Sequence, residues 1–309
     1  MAFSDAADFR QWLNVIEVMW SLPSNESAEM KPTEPLPEDR YVKVGSVNTR
    51  YWQIGDSGRA VILLHGGGGY IELWKYNIFE LAKHHRIYAF DMVGAGRSER
   101  PNTDYTYDFM AQFTREFMKV LDIPKADLIG TSAGGGVALT FALKFPALID
   151  RLVLAGSAGL GPEINLLLRI TAIPGLGKLL SSPTKSGLRM LCKQSVYNSN
   201  LITEEMVDEF YQMAILPGAA AATINLGRSI FSIWGQFSQP ITERLQTITA
   251  PTLIIWGQQD PMVPVSHGQN AAQIMPNARL EIFEECGHWS SIEHPQKFNQ
   301  IILGFLSSF

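Results

Sequence analysis

Cysteine is scarce in this sequence, and its scarcity excludes a disulfide scaffold and a cysteine-rich metal site. The 309 residues contain only Cys192 and Cys286. Two thiols cannot build a disulfide framework, and they fit a reducing compartment without further assumption. No cysteine or histidine pair has the spacing of metal ligands except the neighbours His84 and His85, and adjacent residues on a strand or helix point in different directions. We therefore interpret His84–His85 as a polar surface turn, and we predict no metal site and no cofactor.

Long basic runs and long apolar runs are also missing. Lys and Arg number 25 against 30 Asp and Glu, a net charge of −5, and no basic block stands out, so a nucleic-acid partner is not expected. Near the N-terminus, Asp5 and Asp8 stand where a secretory signal carries Lys or Arg. The most apolar later stretch, Ile164–Leu180, is interrupted by Arg169 and Lys178, which makes it a poor membrane span. These absences predict a soluble, cytoplasmic protein without a transmembrane segment.

The first 40 residues differ in pattern from the rest of the chain. Apolar residues recur at helical spacing from Phe9 to Trp20, and a stretch rich in Pro, Glu and Ser follows from Ser21 to Asp39. We predict an N-terminal helix and linker over residues 1–40. The helix either packs on its own domain or contacts a partner, such as a second copy of the chain.

Short apolar runs bounded by glycine, aspartate or polar turns predict the strands of the main domain. Two runs, residues 41–47 and 49–54, are expected to form an opening antiparallel pair. Six near-continuous apolar runs follow, at residues 60–66, 86–92, 126–132, 151–157, 252–258 and 279–285. Such runs are typical of parallel strands covered on both faces, and helical patterns separate most of them. The alternation predicts an α/β fold with a doubly wound, mostly parallel, eight-stranded sheet.

This alternation fails between Ser157 and Gln239. Helical patterns occupy Gly187–Tyr197 and Thr203–Leu216, and Thr203 is a plausible N-cap because acidic residues follow it in the first turn. We predict a helical lid over residues 157–239, inserted after the sixth strand and lying over the carboxyl edge of the sheet. Residues 41–156 and 240–309 then form the core.

The end of the fifth predicted strand carries the pattern Gly-x-Ser-x-Gly, at Gly130–Gly134, with Ser132 at its centre. In a strand–turn–helix context this pattern projects the serine hydroxyl above the sheet and beside a helix N-terminus, which favours a developing anion. The turn is tight, so a Cβ atom at Gly130 or Gly134 would collide with neighbouring backbone. We identify Ser132 as the candidate nucleophile, although the same pattern is also compatible with a glycine-rich turn and an uninvolved serine.

Two other strand ends supply the groups that a serine nucleophile needs. A serine hydroxyl becomes nucleophilic when a base takes its proton, and the last strand leads into a loop that carries His288. The seventh strand ends at Asp260, and the order Ser132, Asp260, His288 matches nucleophile, acid and base in this architecture. Carboxyl ends of parallel strands meet at one edge of a sheet. The sequence therefore predicts a catalytic triad of Ser132, His288 and Asp260.

Glycines after the third strand predict an oxyanion hole. His65 is followed by four glycines, which let backbone N–H groups approach a ligand. We assign the N–H groups of Gly67 and Ala133 as the donors, and we expect His65 to hold the glycine loop. A phosphate-binding loop is a weak alternative because no Lys-Ser/Thr pair follows the glycines.

The fourth strand ends in a turn that runs from Asp91 to Ser98 and contains Arg97. Its spaced glycines and its arginine are compatible with substrate binding. We interpret it instead as a structural turn that braces the glycine loop.

From about Tyr41 to the C-terminus, these motifs resemble the α/β-hydrolase superfamily. The strand-end sequences HGGGG, DMVGAGRS, GTSAGG, GQQDPMVP and GHW occur in the family's order. The resemblance implies the α/β-hydrolase fold and a serine hydrolase triad. It says less about the substrate.

Within the superfamily, two segments look like the meta-cleavage-product hydrolases, which split carbon–carbon bonds in dienoate diketones. These are the tail Gly287–Asn299 and the lid run Leu201–Tyr211. Three features differ from that subfamily: Thr131 stands where it usually carries Asn, the glycine loop lacks its proline, and Phe210 stands where it usually carries a carboxylate-binding Arg. Losing the charged partner of a buried carboxylate costs binding energy. Arg189 or Arg228 could substitute for that arginine.

Because of these differences, we expect the chain to hydrolyse an ester, lactone or related acyl bond of a fairly apolar small molecule through an acyl-enzyme. Apolar and aromatic residues of the lid predict an apolar pocket. Candidate substrate contacts are Phe210, Phe231, Trp234 and Trp289. A carbon–carbon bond hydrolase and a non-catalytic ligand receptor on the same fold stay open as alternatives.

Overall fold

An eight-stranded sheet organises the part of the chain that the structure, a computed structural model, describes: residues 34–171, 173, 183–237 and 239–307. Its strands are β1 (Arg40–Val44), β2 (Val47–Ile54), β3 (Ala60–Leu64), β4 (Arg86–Phe90), β5 (Ala126–Thr131), β6 (Ile149–Ala155), β9 (Thr252–Gly257) and β10 (Ala278–Phe283). A separate hairpin consists of β7 (Phe231–Ser232) and β8 (Gly235–Gln236). The large sheet has the order β1-β2-β4-β3-β5-β6-β9-β10; β2 is antiparallel to β1 and β4, and the other neighbours are parallel. The predicted fold class is confirmed.

Alternating side chains of the central strands fill two apolar cores, one on each face of the sheet. In β3, Ile62 and Leu64 belong to one core, whereas Val61 and Leu63 belong to the other, and all four are fully buried. A strand buried on both faces has no need of polar alternation. This arrangement explains why the central strands read as continuous apolar runs in the sequence.

Helices cover both faces of the sheet and fill the segment between β6 and β9. They are α1 (Ile78–Ala82), α2 (Tyr107–Val120), α3 (Ala133–Lys144), α4 (Leu166–Thr171), α5 (Lys185–Ser195), α6 (Glu204–Ala214), α7 (Ala219–Ile230), α8 (Gln239–Thr242), α9 (Ser266–Ile274), α10 (Ser290–Glu293) and α11 (Pro295–Ser307). Across the described ranges, none of these helices has the length and apolarity that a membrane crossing requires. The helix predicted at Phe9–Trp20 lies outside the described residues.

The opening strand pair is antiparallel as predicted, but its turn lies elsewhere. The sequence placed a break between two runs at residues 47 and 49, whereas the chain turns at Gly45 and Ser46 and β2 begins at Val47. Gly45 has φ +61°, in the left-handed region that favours glycine. The turn therefore follows the glycine, and the polar residues Asn48 and Thr49 continue the strand.

The segment between β6 and β9, which we call the insertion, contains α4 to α8 and the β7–β8 hairpin. Its helices α5 and α6 lie within two residues of the predicted helical stretches. Thr203 caps α6, since its Oγ1 accepts a hydrogen bond from the Met206 N–H at 3.2 Å. An inserted helical segment between the sixth strand and the next strand of the sheet is thus present.

Candidate active site

Ser132 lies on the turn between β5 and α3, in a backbone conformation that few residues adopt. Its φ is +51° and its ψ is −121°. The Ser132 N–H donates to Ala155 O at 3.0 Å, and the Ser132 carbonyl accepts from the N–H groups of Gly135 and Ala158, each at 2.9 Å. Such strain persists only where the surroundings over-determine the backbone. The hydrogen bonds to β6 and α3 hold the turn in this conformation.

The two glycines that flank Ser132 in the sequence pattern meet backbone at very short range. A Cβ atom on Gly130 would lie 2.4 Å from Gly134 O, and one on Gly134 would lie 2.3 Å from Leu64 O. Neither carbonyl can move without displacing a strand or a helix. The close approach that we predicted from the sequence is present at both positions.

His288 and Asp260 meet beside this turn. His288 Nδ1 lies 2.8 Å from Asp260 Oδ2, while Asp260 Oδ1 accepts hydrogen bonds from the N–H groups of Met262 at 2.8 Å and Val263 at 3.0 Å. Gly156 directly follows the residue that accepts the Ser132 N–H, and a Cβ atom on Gly156 would lie 3.1 Å from His288 Nδ1. The structure therefore brings the three predicted triad residues to one edge of the sheet.

Two carboxylates govern the protonation of the buried His288 imidazole. Burial acts to lower the pKa of His288, but the charge and hydrogen bond of Asp260, together with the charge of Glu293, outweigh it and raise that pKa above its ordinary value. The protonated imidazole is therefore stabilised in this site. A base with a raised pKa has a greater affinity for the proton that it takes up.

The glycine loop passes directly over Ser132. A Cβ atom on Gly66 would lie 3.1 Å from Ser132 Cβ, and one on Gly67 would lie 3.7 Å from Ala133 Cβ. Ala133 is the first residue of α3, so its N–H has no acceptor within the helix. The two N–H groups that we assigned to the oxyanion hole thus belong to neighbouring backbone segments at the serine.

His65 fixes the glycine loop through both ring nitrogens. Its Nδ1 lies 2.8 Å from Gly66 O, and its Nε2 lies 3.0 Å from the Met92 backbone nitrogen. A backbone N–H can only donate, so Nε2 accepts and Nδ1 carries the proton. Burial lowers the pKa of His65, which favours this neutral form. These contacts match the structural role that we expected for His65.

The turn after β4 is organised around the buried carboxylate of Asp91. Asp91 Oδ1 accepts from the Ile71 N–H at 2.8 Å, Oδ2 accepts from the Arg97 N–H at 2.7 Å, and Ser98 Oγ donates to Asp91 O at 2.7 Å. The Arg97 guanidinium binds Glu72 at 2.9 Å. These partners favour the interpretation of the turn as a brace over its interpretation as a substrate site.

The predicted substrate contacts divide into two groups. Phe210 of α6 stacks on Trp289 with centroids 5.6 Å apart and planes at 6°, and Tyr70 meets Phe210 edge-on at 5.1 Å. Trp289 follows His288 in the chain, and Tyr70 follows the glycine loop, so this aromatic cluster lies close to both parts of the site. Tyr70 was not among the predicted contacts, although its position directly after the four glycines was a usable signal.

Phe231 and Trp234 belong to the β7–β8 hairpin and line a different cavity, of about 370 Å³, with Ile173, Arg228 and Phe237. Trp234 is 84% exposed, and none of the triad residues lines this cavity. These positions place Trp234 away from the triad and do not support its predicted role as a substrate contact. An aromatic residue in an amphipathic stretch can equally stand at an exposed hairpin tip.

The two arginines that could have replaced the missing carboxylate-binding residue lie at the surface of the insertion. Arg189 is bound to Glu204 through its Nε and Nη2, at 2.7 and 2.5 Å. Arg228 is exposed on α7 and lines the hairpin cavity. Neither is placed by these contacts beside Ser132.

Comparison with known proteins assigns the family. The family model described as alpha/beta hydrolase fold matches residues 59–173 and 182–295. The chain is similar to the 2-hydroxy-6-oxo-6-(2'-aminophenyl)hexa-2,4-dienoic acid hydrolase of Metapseudomonas resinovorans, at 33% identity over 87% of this chain and 91% of that protein. It is also similar to the 2-hydroxy-6-oxononadienedioate/2-hydroxy-6-oxononatrienedioate hydrolase of Comamonas testosteroni, at 33% identity over 81% and 88%. A solved meta-cleavage product hydrolase from Pseudomonas fluorescens IP01 superposes with a TM-score of 0.75 and 30% identity, covering 86% of this chain and 96% of that one.

These relatives overturn the expected ester or lactone hydrolysis. All three are hydrolases of the meta-cleavage-product type or of the corresponding dienoic acids, so they support the carbon–carbon alternative instead. The prediction was wrong because a serine that is activated by a base and assisted by an oxyanion hole can attack ester and ketone carbonyls alike. The choice between the two reactions therefore depended on single positions such as Phe210. One altered position does not define a substrate class. The chain belongs to the α/β-hydrolase fold family, and it is a hydrolase whose relatives act on dienoic acids.

Proposed function

We propose that this protein hydrolyses a carbon–carbon bond of a 2-hydroxy-6-oxo-dienoic acid, with Ser132 as nucleophile, His288 as base and Asp260 as its orienting acid. The observation that carries the proposal is that relatives with this type of substrate match more than four fifths of the chain at 31–33% identity. The 2.8 Å contact between His288 and Asp260, next to the strained Ser132 turn, supports it.

In the proposed reaction, His288 takes the Ser132 proton while Ser132 Oγ attacks the ketone carbon at position 6 of the substrate. The N–H groups of Gly67 and Ala133 stabilise the resulting oxyanion. When the tetrahedral species collapses, the bond between carbons 5 and 6 breaks and carbon 5 leaves with the electron pair. In the keto tautomer of the substrate, that pair is delocalised through carbons 4 and 3 onto the 2-oxo group, and the His288 imidazolium returns the proton.

The acyl group then remains on Ser132 as an ester. His288 takes a proton from water, the water oxygen attacks the acyl carbon, and the second collapse releases a carboxylic acid and restores the Ser132 hydroxyl. Asp260 holds the His288 proton on Nδ1 and stabilises the imidazolium in both halves of the cycle. The overall change is the addition of one water across the broken carbon–carbon bond.

We also propose that residues 157–239 act as a lid over this site. Two contacts support that role. A Cβ atom on Gly67 would lie 3.5 Å from Leu226 Cδ2, and Phe210 stacks on Trp289. The aromatic cluster of Tyr70, Phe210 and Trp289 favours an apolar or aryl substituent at carbon 6 of the substrate. A reducing, cytoplasmic location, and an oligomer or partner contact through the helix predicted at Phe9–Trp20, remain part of the proposal.

The decisive experiment compares two substrates and one variant. A 2-hydroxy-6-oxo-dienoate with a phenyl group at carbon 6 and a p-nitrophenyl ester of similar size are offered to the wild-type protein and to Ser132→Ala. We expect the dienoate absorbance to disappear with the wild type and to persist with Ser132→Ala. Rapid ester cleavage combined with negligible dienoate turnover would contradict the proposal.

A further inference from the structure

Glu293 is a buried carboxylate outside the proposed triad, and its hydrogen bonds surround His288. It is 9% exposed and ends α10, five residues after the histidine. Its Oε1 accepts from the N–H groups of Gly287 and Trp289, at 3.0 and 3.1 Å, which are the two chain neighbours of His288. Its Oε2 also lies 3.0 Å from the Gly287 nitrogen. The backbone on both sides of the base is therefore tied to a single side chain.

The same carboxylate reaches the insertion. Glu293 Oε2 accepts a hydrogen bond from the Tyr197 N–H at 2.7 Å. Tyr197 follows α5, and two residues before it Ser195 O accepts the His288 N–H, also at 2.7 Å. A Cβ atom on Gly287 would lie 2.8 Å from both Ser195 O and Tyr197 N. The insertion and the histidine loop are thus in direct backbone contact, with Glu293 bonded to both.

We propose that Glu293 is a positioning residue for His288, which fixes the histidine loop and couples it to the insertion through Tyr197. The inference rests on the proposed catalytic role of His288. A buried carboxylate without hydrogen-bond partners is strongly destabilising, so the hydrogen bonds that Glu293 accepts from three backbone N–H groups explain why it is tolerated here. Ordinary packing of a loop needs no ionised group. A loop that carries a base gains from one, because the ring of the base must stay within a narrow range of positions and a fixed carboxylate can hold the backbone on both sides of it.

Charged groups near His288 and Glu293 affect the pKa of each. Asp260 and Glu293 are the carboxylates that raise the pKa of His288 against its burial. Burial in turn raises the pKa of Glu293, while its three backbone donors and the charge of His294 act to lower it. The Cys286 thiol lies 3.9 Å from Glu293 Oε1 as a weak donor. Removing the Glu293 charge should therefore lower the pKa of His288.

The test uses Glu293→Gln, Glu293→Asp and, as the matched control, Glu284→Gln, which removes one charge from the exposed part of the same loop. An amide at residue 293 has one acceptor and one NH₂ group, so at least one backbone donor faces another donor. The Asp variant keeps the charge on a shorter side chain. The readout is the rate at which a fluorophosphonate labels Ser132 from pH 5 to pH 9, which is independent of the natural substrate.

We expect Glu293→Gln to slow labelling about ten-fold at the pH-independent maximum of the rate (the plateau), which is a fraction of what a general base contributes. The fall of the rate toward low pH (the acid limb) should move to lower pH. Glu293→Asp should lose plateau rate with a smaller shift of the limb, and Glu284→Gln should match the wild type. Amide hydrogen exchange at Tyr197 and Trp289 should accelerate in Glu293→Gln only. Circular dichroism and melting temperature establish that each variant is folded, and the Asp variant serves if the Gln variant is not.

An unchanged plateau, limb and exchange rate in a folded Glu293→Gln protein would overturn the inference. Titration of His288 by NMR gives the same decision without any labelling: an unaltered His288 pKa in Glu293→Gln also overturns it. Slowed labelling in a protein that cleaves esters but not dienoates would leave the inference standing and reject the proposed substrate. The two failures are therefore distinguishable.

Discussion

The carboxyl edge of the sheet and the insertion between β6 and β9 differ in how closely their residues are packed. At the sheet edge, Gly130 and Gly134 approach backbone atoms so closely that one added carbon atom has no room. In the insertion, Trp234 stands 84% exposed and Arg189 is paired with Glu204 at the surface. The turn that carries the proposed nucleophile is held by contacts between main-chain segments, where even the smallest added side chain meets backbone atoms. In the proposed function, the choice of substrate depends on side chains, which can be exchanged one at a time.

The largest effect should follow from breaking the orienting pair at the sheet edge. Asp260→Asn leaves the shape of the site but removes the anion beside His288 Nδ1, so the imidazole loses its required tautomer. We expect kcat for the dienoate to fall about 10⁴-fold with little change in KM. Steady-state kinetics of the purified variant measure this. A fall of less than ten-fold would remove Asp260 from its proposed role.

Substitution of a glycine at the sheet edge should lower the free energy of unfolding more than the same substitution elsewhere. Gly134→Ala brings a Cβ atom to 2.3 Å from Leu64 O, and we expect a loss of about 3 kcal/mol in the free energy of unfolding. The matched control is Gly304→Ala in α11, where nothing lies within 4 Å of the new atom. There we expect a gain of about 0.5–1 kcal/mol from helix propensity. Urea denaturation compares the two, and equal stabilities would contradict the contrast.

Within the insertion, substitutions of two aromatic residues should distinguish a residue that binds substrate from one that is only exposed at the surface. Phe210→Ala removes a buried ring that stacks on Trp289, and we expect kcat/KM for an aryl dienoate to fall by about ten-fold or more, as expected for loss of about 1.5–3 kcal/mol of apolar burial. Trp234→Ala should change kcat/KM by less than two-fold, since the ring is exposed. A larger effect of Trp234 than of Phe210 would place the substrate at the hairpin instead.

The smallest effect concerns the pH dependence of the base. Only unprotonated His288 can accept the Ser132 proton, so activity falls as the pH drops through the pKa of His288. Because Asp260 and Glu293 raise that pKa above its ordinary value, we expect the acid limb of kcat/KM to lie above pH 6.5. A profile of kcat/KM between pH 5 and pH 9 checks this. An acid limb well below pH 6.5 would mean that burial outweighs the two carboxylates.

The sequence predicted the sheet edge far better than the insertion, for a physical reason. Ser132, Asp260 and His288 each follow a recognisable strand, and parallel strands bring their ends together whatever the intervening chain does. The contact between Tyr197 and Glu293 joins residues 96 positions apart through a backbone N–H, which leaves no trace in residue type. In the sequence, Glu293 is one of three glutamates close to His288, with Glu284 and Glu285, and nothing in the residue types distinguishes it. The exposure of Trp234 could not be predicted from the sequence, because tertiary packing decides which side of an amphipathic stretch is buried.

The bond from the His288 N–H to Ser195 O has a consequence for engineering and for evolutionary exchange. Insertions of different length and composition could be transplanted onto this sheet to recruit new substrates. A transplant that omits residues 195–197 would deliver a new pocket with a poorly held base, and its turnover would be low even if the substrate fits. Successful chimeras should therefore retain this three-residue segment together with Glu293. The part that must be exchanged or kept as a unit therefore includes the pocket and residues 195–197, but not the whole insertion.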